Sequence, residues 1–263
     1  MRVLTSGTDD SPPLTEDTPV ALLIPYSIPG FSDPVSSMTH LLGAGVFAVL
    51  SVPLLRRGRG SLLRIVCLGV FAFSSVMLLS ISGVYHLLSH GGVGRDVMLR
   101  LDHAAIFVLI AGTFTPVHGL LFHGRWRGEP LLVLWVVTVA AVTLKTVFFE
   151  GVPEWVGLSL YLGLGWVGLV SGIALWFRYG WGFIRPLTWG GIAYTIGATL
   201  DYVHWPAVIP GVVQWHELFH IAVLCGIAFH WRFIYSFASG KVAALGGASQ
   251  PPTVQSRPGD FRL

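Results

Sequence analysis

Charge is what this sequence most conspicuously lacks. Only 11% of its 263 residues are Asp, Glu, Lys or Arg, against roughly a quarter in an ordinary soluble domain. That scarcity, with 53% apolar residues and a mean hydropathy of +0.70, argues against a disordered chain, a nucleic-acid-binding chain and a soluble enzyme. Cysteine is nearly missing: Cys67 and Cys225 are the only two, each inside an apolar run, so neither a disulfide framework nor a Cys-based zinc module can be built from one chain. Both are expected to be small packing residues. Lysine is almost absent too, since 14 of the 16 basic residues are Arg. They are scattered through short gaps between apolar runs, so the net charge of +3 implies membrane topology and no nucleic-acid partner.

What remains is apolar sequence cut into pieces of one size. A bilayer-crossing helix needs about 20 mostly apolar residues, and seven runs fit: Val35–Leu55, Ile65–Leu88, Leu99–Phe122, Pro130–Phe149, Trp155–Phe177, Phe183–Asp201 and Val213–Phe237. The expected fold is therefore an all-α polytopic protein of the cell membrane, a seven-transmembrane-helix bundle with antiparallel neighbours. Residues 35–237 form that domain. The stretch 1–34 is rich in Pro, Ser, Thr and Asp, and its one apolar patch, Val20 to Ile24, is too short for a signal-peptide core. It reads as a disordered tail, and so does the Gly/Pro/Ser-rich stretch 238–263. Trp126, Trp155, Trp176, Trp181, Trp205, Trp215 and Trp231 sit near run ends, where the membrane–water boundary favours them. Gly168 and Gly172 have the spacing that lets two membrane helices approach closely. No internal repeat or matched pair of interrupted spans suggests a secondary transporter.

An ionisable residue inside a span is costly and marks function by default. Let side A be the membrane face at the N-terminal end of the first span, and side B the other. His86 lies near the end of the second span, Asp102 near the start of the third, and His216 and His220 near the start of the seventh. All four fall on side A, about one to two turns into the membrane. His216 and His220 are an i, i+4 pair on one helix face, and Ser82 lies one turn before His86. Two imidazoles one turn apart and a third from a facing helix make a three-nitrogen site with an open fourth position. Zinc is the expected ion, although iron, copper and nickel also accept imidazole. Asp102 is at the right depth to offset part of the ion's charge.

His216-Glu217-Leu218-Phe219-His220 also matches the HExxH pattern of zincin proteases. A zincin takes its third ligand from downstream, yet no Asp or Glu follows Glu217 until Asp260, and His230 lies about 15 Å further along the helix. The third ligand is therefore expected from upstream, with Glu217 kept as a second candidate base. His40, His90 and His103 are expected to serve at helix ends and in a loop, with Asp201 and His204 closer to the site. His118, His123 and His230 lie toward side B as structural residues. Lys145 is expected to snorkel to the interface.

Five strings now stand out together: SGVYHLL (Ser82 to Leu88), LRLDHAAIFVLIAGTFTP (Leu99 to Pro116), LYLGLGW (Leu160 to Trp166), GGIAYTIGA (Gly190 to Ala198) and HELFHIAVLCGIAFH (His216 to His230). They closely resemble the hemolysin III branch of the progestin and adiponectin receptor family, over about Pro34 to Ser236. The resemblance implies seven transmembrane helices and a Zn2+ ion held by one histidine of the second helix and two of the seventh, matching His86, His216 and His220. It implies that Asp102 holds the zinc's water and that Ser82 lies beside it. Relatives in the wider superfamily include alkaline ceramidases, so lipid amide hydrolysis is the implied chemistry, with an acylated membrane lipid as substrate.

Three functions follow from these residues. A zinc-dependent intramembrane hydrolase of a lipid amide or ester is the leading one; a lipid-sensing receptor with structural zinc and a pore-forming cytolysin are the alternatives. A pore within one bundle would want polar residues along several helices, whereas midsections such as VFAFSSVMLL and LWVVTVAAV are mostly apolar. For orientation, two lines disagree. Side B carries Arg56, Arg57, Arg59, Arg64, Arg125, Arg127, Arg178, Arg185, Arg232 and Lys241, and side A little beyond Arg2, Arg95, Arg100 and Lys145. The positive-inside bias puts side B in the cytoplasm, whereas the adiponectin receptors, by resemblance, have a cytoplasmic N-terminus. The charge asymmetry is the larger signal. A C-terminal reporter should therefore be active only if it is a type that works in the cytoplasm; activity of a periplasm-type reporter there would reverse the assignment.

Overall fold

The structure, a computed structural model, describes residues 27–241. Of the expected tails, 1–34 and 238–263, residues 1–26 and 242–263 lie outside the described residues. Seven α-helices follow one another: α1 (Pro34–Arg57), α2 (Leu62–Leu87), α3 (Val93–Leu121), α4 (Arg125–Val147), α5 (Glu154–Tyr179), α6 (Trp181–Val203) and α7 (Trp215–Phe237). Six of them are long and apolar enough to cross a membrane. The exception is α6, which has the length but carries Pro186, Thr188, four glycines, Arg185 and Asp201. The protein is a helical, multi-pass membrane bundle, and the expected all-α fold is what it has.

The helix limits follow from simple backbone chemistry. Pro34 opens α1, where a missing N–H costs nothing. The Ser61 side chain accepts from the Arg64 N–H at the start of α2. Pro130 lies inside α4 instead of opening it. A proline there leaves the carbonyl four residues earlier, that of Trp126, without its helical donor. His118 of α3 repairs the loss: its Nδ1 donates to the Trp126 carbonyl at 2.9 Å and its Nε2 accepts from Ser171 at 2.9 Å. His118 is thus structural, as expected. With 29 residues, α3 is about 43 Å long, well beyond the hydrocarbon thickness of about 30 Å. Its first turns reach past the expected run and carry Arg95.

Sequential helices pack on one another from α1 to α4 and from α5 to α7, whereas α5 leans on α3 and not on α4; α7 closes back against α1 and also touches α3. The core is formed by residues such as Phe71, Leu79, Ile227, Phe233 and Ile234. Cys67 is buried against Gly119, where an added Cβ would come within 2.6 Å of its sulfur; Cys225, by contrast, is exposed on α7 instead of packed. Gly168 lies under the Phe114 ring, while Gly172 has no such close neighbour. Lys145 does not snorkel. It is buried, its Nζ 5.4 Å from the centre of the Phe149 ring and close over Gly157, so a ring face and a helix lacking a side chain accommodate it.

One of the close helix approaches is between α6 and α7. A Cβ on Gly190 would collide with the His230 ring and stand 3.2 Å from the Gly226 carbonyl, whereas one on Gly191 would meet nothing within 4 Å. Gly190→Ala should therefore destabilise the bundle by about 1–3 kcal/mol, and Gly191→Ala should leave it unchanged or slightly more stable. Thermal unfolding in detergent checks this, and equal effects at the two neighbours would refute the packing account.

Candidate metal centre

The site is built at the side-A ends of α1, α2, α3, α6 and α7. α7 supplies His216 and His220 one turn apart, a separation fixed by helix geometry alone. α2 supplies His86 from its last turn. One ring nitrogen from each of the three lies within 4.8 Å of the others, so the group can hold a metal ion. His86 and His220 are buried and His216 is half-buried. The sequence-based choice of these three residues is what the structure brings together.

What surrounds the rings decides which nitrogens face inward. The Nδ1 of His86 donates to Asp33 Oδ2 at 3.0 Å, that of His216 to Asp201 Oδ1 at 2.9 Å, and that of His220 to the Ser36 carbonyl at 3.2 Å. A carbonyl and a carboxylate can only accept, so the proton of each ring sits on Nδ1 and each Nε2 carries a lone pair. The Nε2 atoms of His86 and His216 are 3.1 Å apart. Two lone pairs at that distance repel unless a cation stands between them. Tetrahedral zinc at about 2.0–2.1 Å from each nitrogen spaces its ligands about 3.3 Å apart, so the donor set fits such an ion in chemistry and in size. Outward Nδ1–H groups on carboxylate or carbonyl acceptors are the usual support of metal-bound histidines.

His40 stacks on His220, ring centres 3.7 Å apart and planes 8° from parallel, and its Nε2 is 3.4 Å from the His220 carbonyl. Asp102 of α3 is half-buried, with Ser82 as its hydrogen-bond partner and His216 and Asp201 within electrostatic reach. Ser82 itself is buried. Glu217, kept above as a candidate base, turns away from the cluster. Its carboxylate accepts from the Gln214 N–H at 2.9 Å and from Ser36 Oγ at 2.8 Å, closing a capping box at the start of α7. That geometry, and a third histidine from α2, separate this site from a zincin. His204 takes a left-handed conformation at the end of α6 beside Trp215, while His103 and His230 bond to the carbonyls of Leu99 and Leu187.

Asp33 and Arg95 were not singled out by sequence. Residues 27–33 fall in the expected N-terminal tail, yet Asp33 is buried and its backbone N–H donates to the His86 carbonyl at 3.0 Å. Arg95 Nη2 donates to Asp33 Oδ2 at 2.6 Å. Burial raises the Asp33 carboxyl, but the hydrogen bonds from His86 and Arg95 outweigh it and bring the pKa down to about 2. An Asp directly before Pro34 is a helix-start pattern, and that was the available signal.

Comparison with known proteins gives consistent results. The family model described as haemolysin-III related matches residues 31–231, a stretch that includes Asp33, Ser82, His86, Arg95, Asp102, Asp201, His216 and His220. The "Hemolysin-3 homolog" of Bacillus subtilis (strain 168) is 29% identical over 190 residues, covering 69% of this chain and 84% of that protein. The "Hemolysin-3" of Bacillus cereus is 29% identical over 200 residues, covering 73% and 85%. The "Adiponectin receptor protein" of Drosophila melanogaster is 26% identical over 223 residues, covering 78% of this chain and 50% of the receptor.

Substitution of any one of the three histidines tests the centre directly. The purified protein should carry about one metal ion per chain; His86→Ala, His216→Ala and His220→Ala should each lose it, and Asp102→Asn should keep it, by elemental analysis of folded preparations. Stoichiometric metal in the triple His→Ala variant would place the site elsewhere.

Proposed function

The chain belongs to the haemolysin-III-related family, and from that premise we propose that it is a zinc-dependent intramembrane hydrolase acting on an amide or ester of a membrane lipid. The observation that carries the proposal is the convergence of three inward Nε2 atoms beside a carboxylate, Asp102, that is not itself one of the three ligands. A purely structural ion needs no such neighbour. When bound, zinc would supply Lewis acidity to an acyl carbonyl and increase the acidity of water at its open position.

The residues of the chain do the rest. Asp102 accepts the proton of the attacking water and later delivers it to the leaving amine or alcohol. Ser82, its hydrogen-bond partner, orients that carboxylate, and once Asp102 has taken the water's proton the single Ser82 O–H is free to turn toward the oxygen on which charge develops. His216, Asp102 and Asp201 are half-exposed while His86 and His220 are buried, so access is from the side of α3 and α6. α5 lies across that side, and none of its residues from 158 to 174 is fully buried. A loosely seated apolar helix is a suitable wall for an acyl chain entering from the bilayer.

A receptor with structural zinc is the second reading, and one observation favours it. The α1 side chain and backbone groups of His40 and Ser36 hold His220, so an ion here would fasten α1, α2 and α7 into one unit. Activity separates the two. Asp102→Asn should keep fold and metal but lose most turnover, and Ser82→Ala should lose on the order of 10–100-fold. The assay follows fatty acid released from ceramide-like and other N-acyl lipids in liposomes. No release by zinc-loaded protein across that panel, or wild-type turnover by Asp102→Asn, would favour the receptor.

A further inference from the structure

Of the three candidate ligands, His86 is the one whose place no local geometry secures. His216 and His220 keep their separation wherever α7 goes, because both ride on the same helix. His86 comes from another helix, at its very end, where the backbone is about to leave helical conformation: Leu88 is already extended. A ring at a fraying helix terminus swings by ångströms unless something outside its own helix holds it.

Three elements meet to do so. Asp33, just before α1, accepts from His86 Nδ1 at 3.0 Å through Oδ2, and its backbone N–H donates to the His86 carbonyl at 3.0 Å. One residue thus grips His86 at both the ring and the main chain. Arg95, from the first turn of α3, donates to the same Oδ2 at 2.6 Å through Nη2. Its Nη1 donates to the carbonyls of Leu88 at 2.6 Å and Tyr85 at 3.3 Å, and the guanidinium lies 4.6 Å over the Tyr85 ring. Arg95 therefore satisfies the terminal carbonyls of α2 and fixes the carboxylate that orients His86. Both side chains are buried, and a buried carboxylate–guanidinium pair of this geometry is rigid where a solvated one is not. Asp201, which plays the corresponding part for His216, is about one-third exposed, with its partner.

We propose that Asp33 and Arg95 are a positioning pair for the metal centre, fixing the tautomer and ring orientation of His86 so that its Nε2 joins those of His216 and His220. The pair touches neither the reacting atoms nor the ion; it acts through His86. The proposal rests on the metal-site reading but not on hydrolysis.

The test is metal binding by the full-length protein in detergent, measured by chelator competition and by the visible bands of Co2+ as the probe ion, with folding checked by size exclusion and circular dichroism. Asp33→Ala removes the acceptor and should weaken metal binding by about 10–100-fold and shift the Co2+ bands. Asp33→Asn retains an oxygen acceptor for His86 Nδ1 and should bind more tightly than Asp33→Ala, with bands close to wild type. Wild-type affinity and bands in Asp33→Ala would overturn the proposal, as would an Asp33→Asn variant impaired as fully as Asp33→Ala. Should Asp33→Ala fail to fold, Asp33→Asn decides: weakened affinity with retained bands supports the pair, and unweakened affinity or altered bands overturns it. A wild-type protein that takes up no Co2+ would overturn the underlying metal reading as well, an outcome distinct from every variant result.

Discussion

An imidazole has two nitrogens, and inside a bundle bounded by hydrocarbon neither can be left to water. That requirement organises the side-A half of this protein. Each of the three clustered histidines settles one nitrogen on an acceptor supplied by a different segment: Asp33 before α1, Asp201 at the end of α6, and the Ser36 carbonyl in the first turn of α1. The second nitrogens then have nowhere to go but toward one another. Because a buried unsatisfied polar atom costs about 1–3 kcal/mol, three converging lone pairs are a standing demand for a cation. The helix ends around them, from the α7 capping box to the Arg95 contacts with α2, are arranged so that this one demand is met in one place.

The bundle and its three histidines were legible in the sequence for a physical reason. Membrane depth is a coordinate that can be counted along a helix, so His86, Asp102, His216 and His220 could be brought to one level without knowing which helices touch. Lateral packing is not countable in that way. It decided that Glu217 serves the N-terminus of its own helix, that Lys145 settles under Phe149, and that Cys225 faces outward. Composition was the misleading guide for Asp33, because a Pro, Ser and Asp-rich segment resembles a tail whether or not one of its residues is captured by a neighbouring helix.

Charge placement on side A also becomes intelligible. Among the described residues the basic groups there are engaged: Arg95 with Asp33, Arg100 with Glu150 at 3.0 Å, and Lys145 buried beside Phe149. On side B, the stretch from Arg56 to Arg64 faces no acidic residue anywhere between Pro34 and Arg95 in the sequence. Pairing reaches side B as well, where Arg125 bonds to Glu129 at 2.7 Å, but among the described residues the other basic groups there form no ion pair, so an excess of positive charge remains for a membrane potential and an anionic leaflet to read.

The two halves of the histidine cluster are separated by 130 residues of chain, from His86 to His216, and five helix-forming segments are made between and including them after α2. During synthesis α2 enters the bilayer early and α7 last. An ion that needs both cannot be retained by any shorter nascent chain, so its capture is a chemical check on completed assembly: a molecule that has lost or misthreaded one helix of the series lacks the means to bind it.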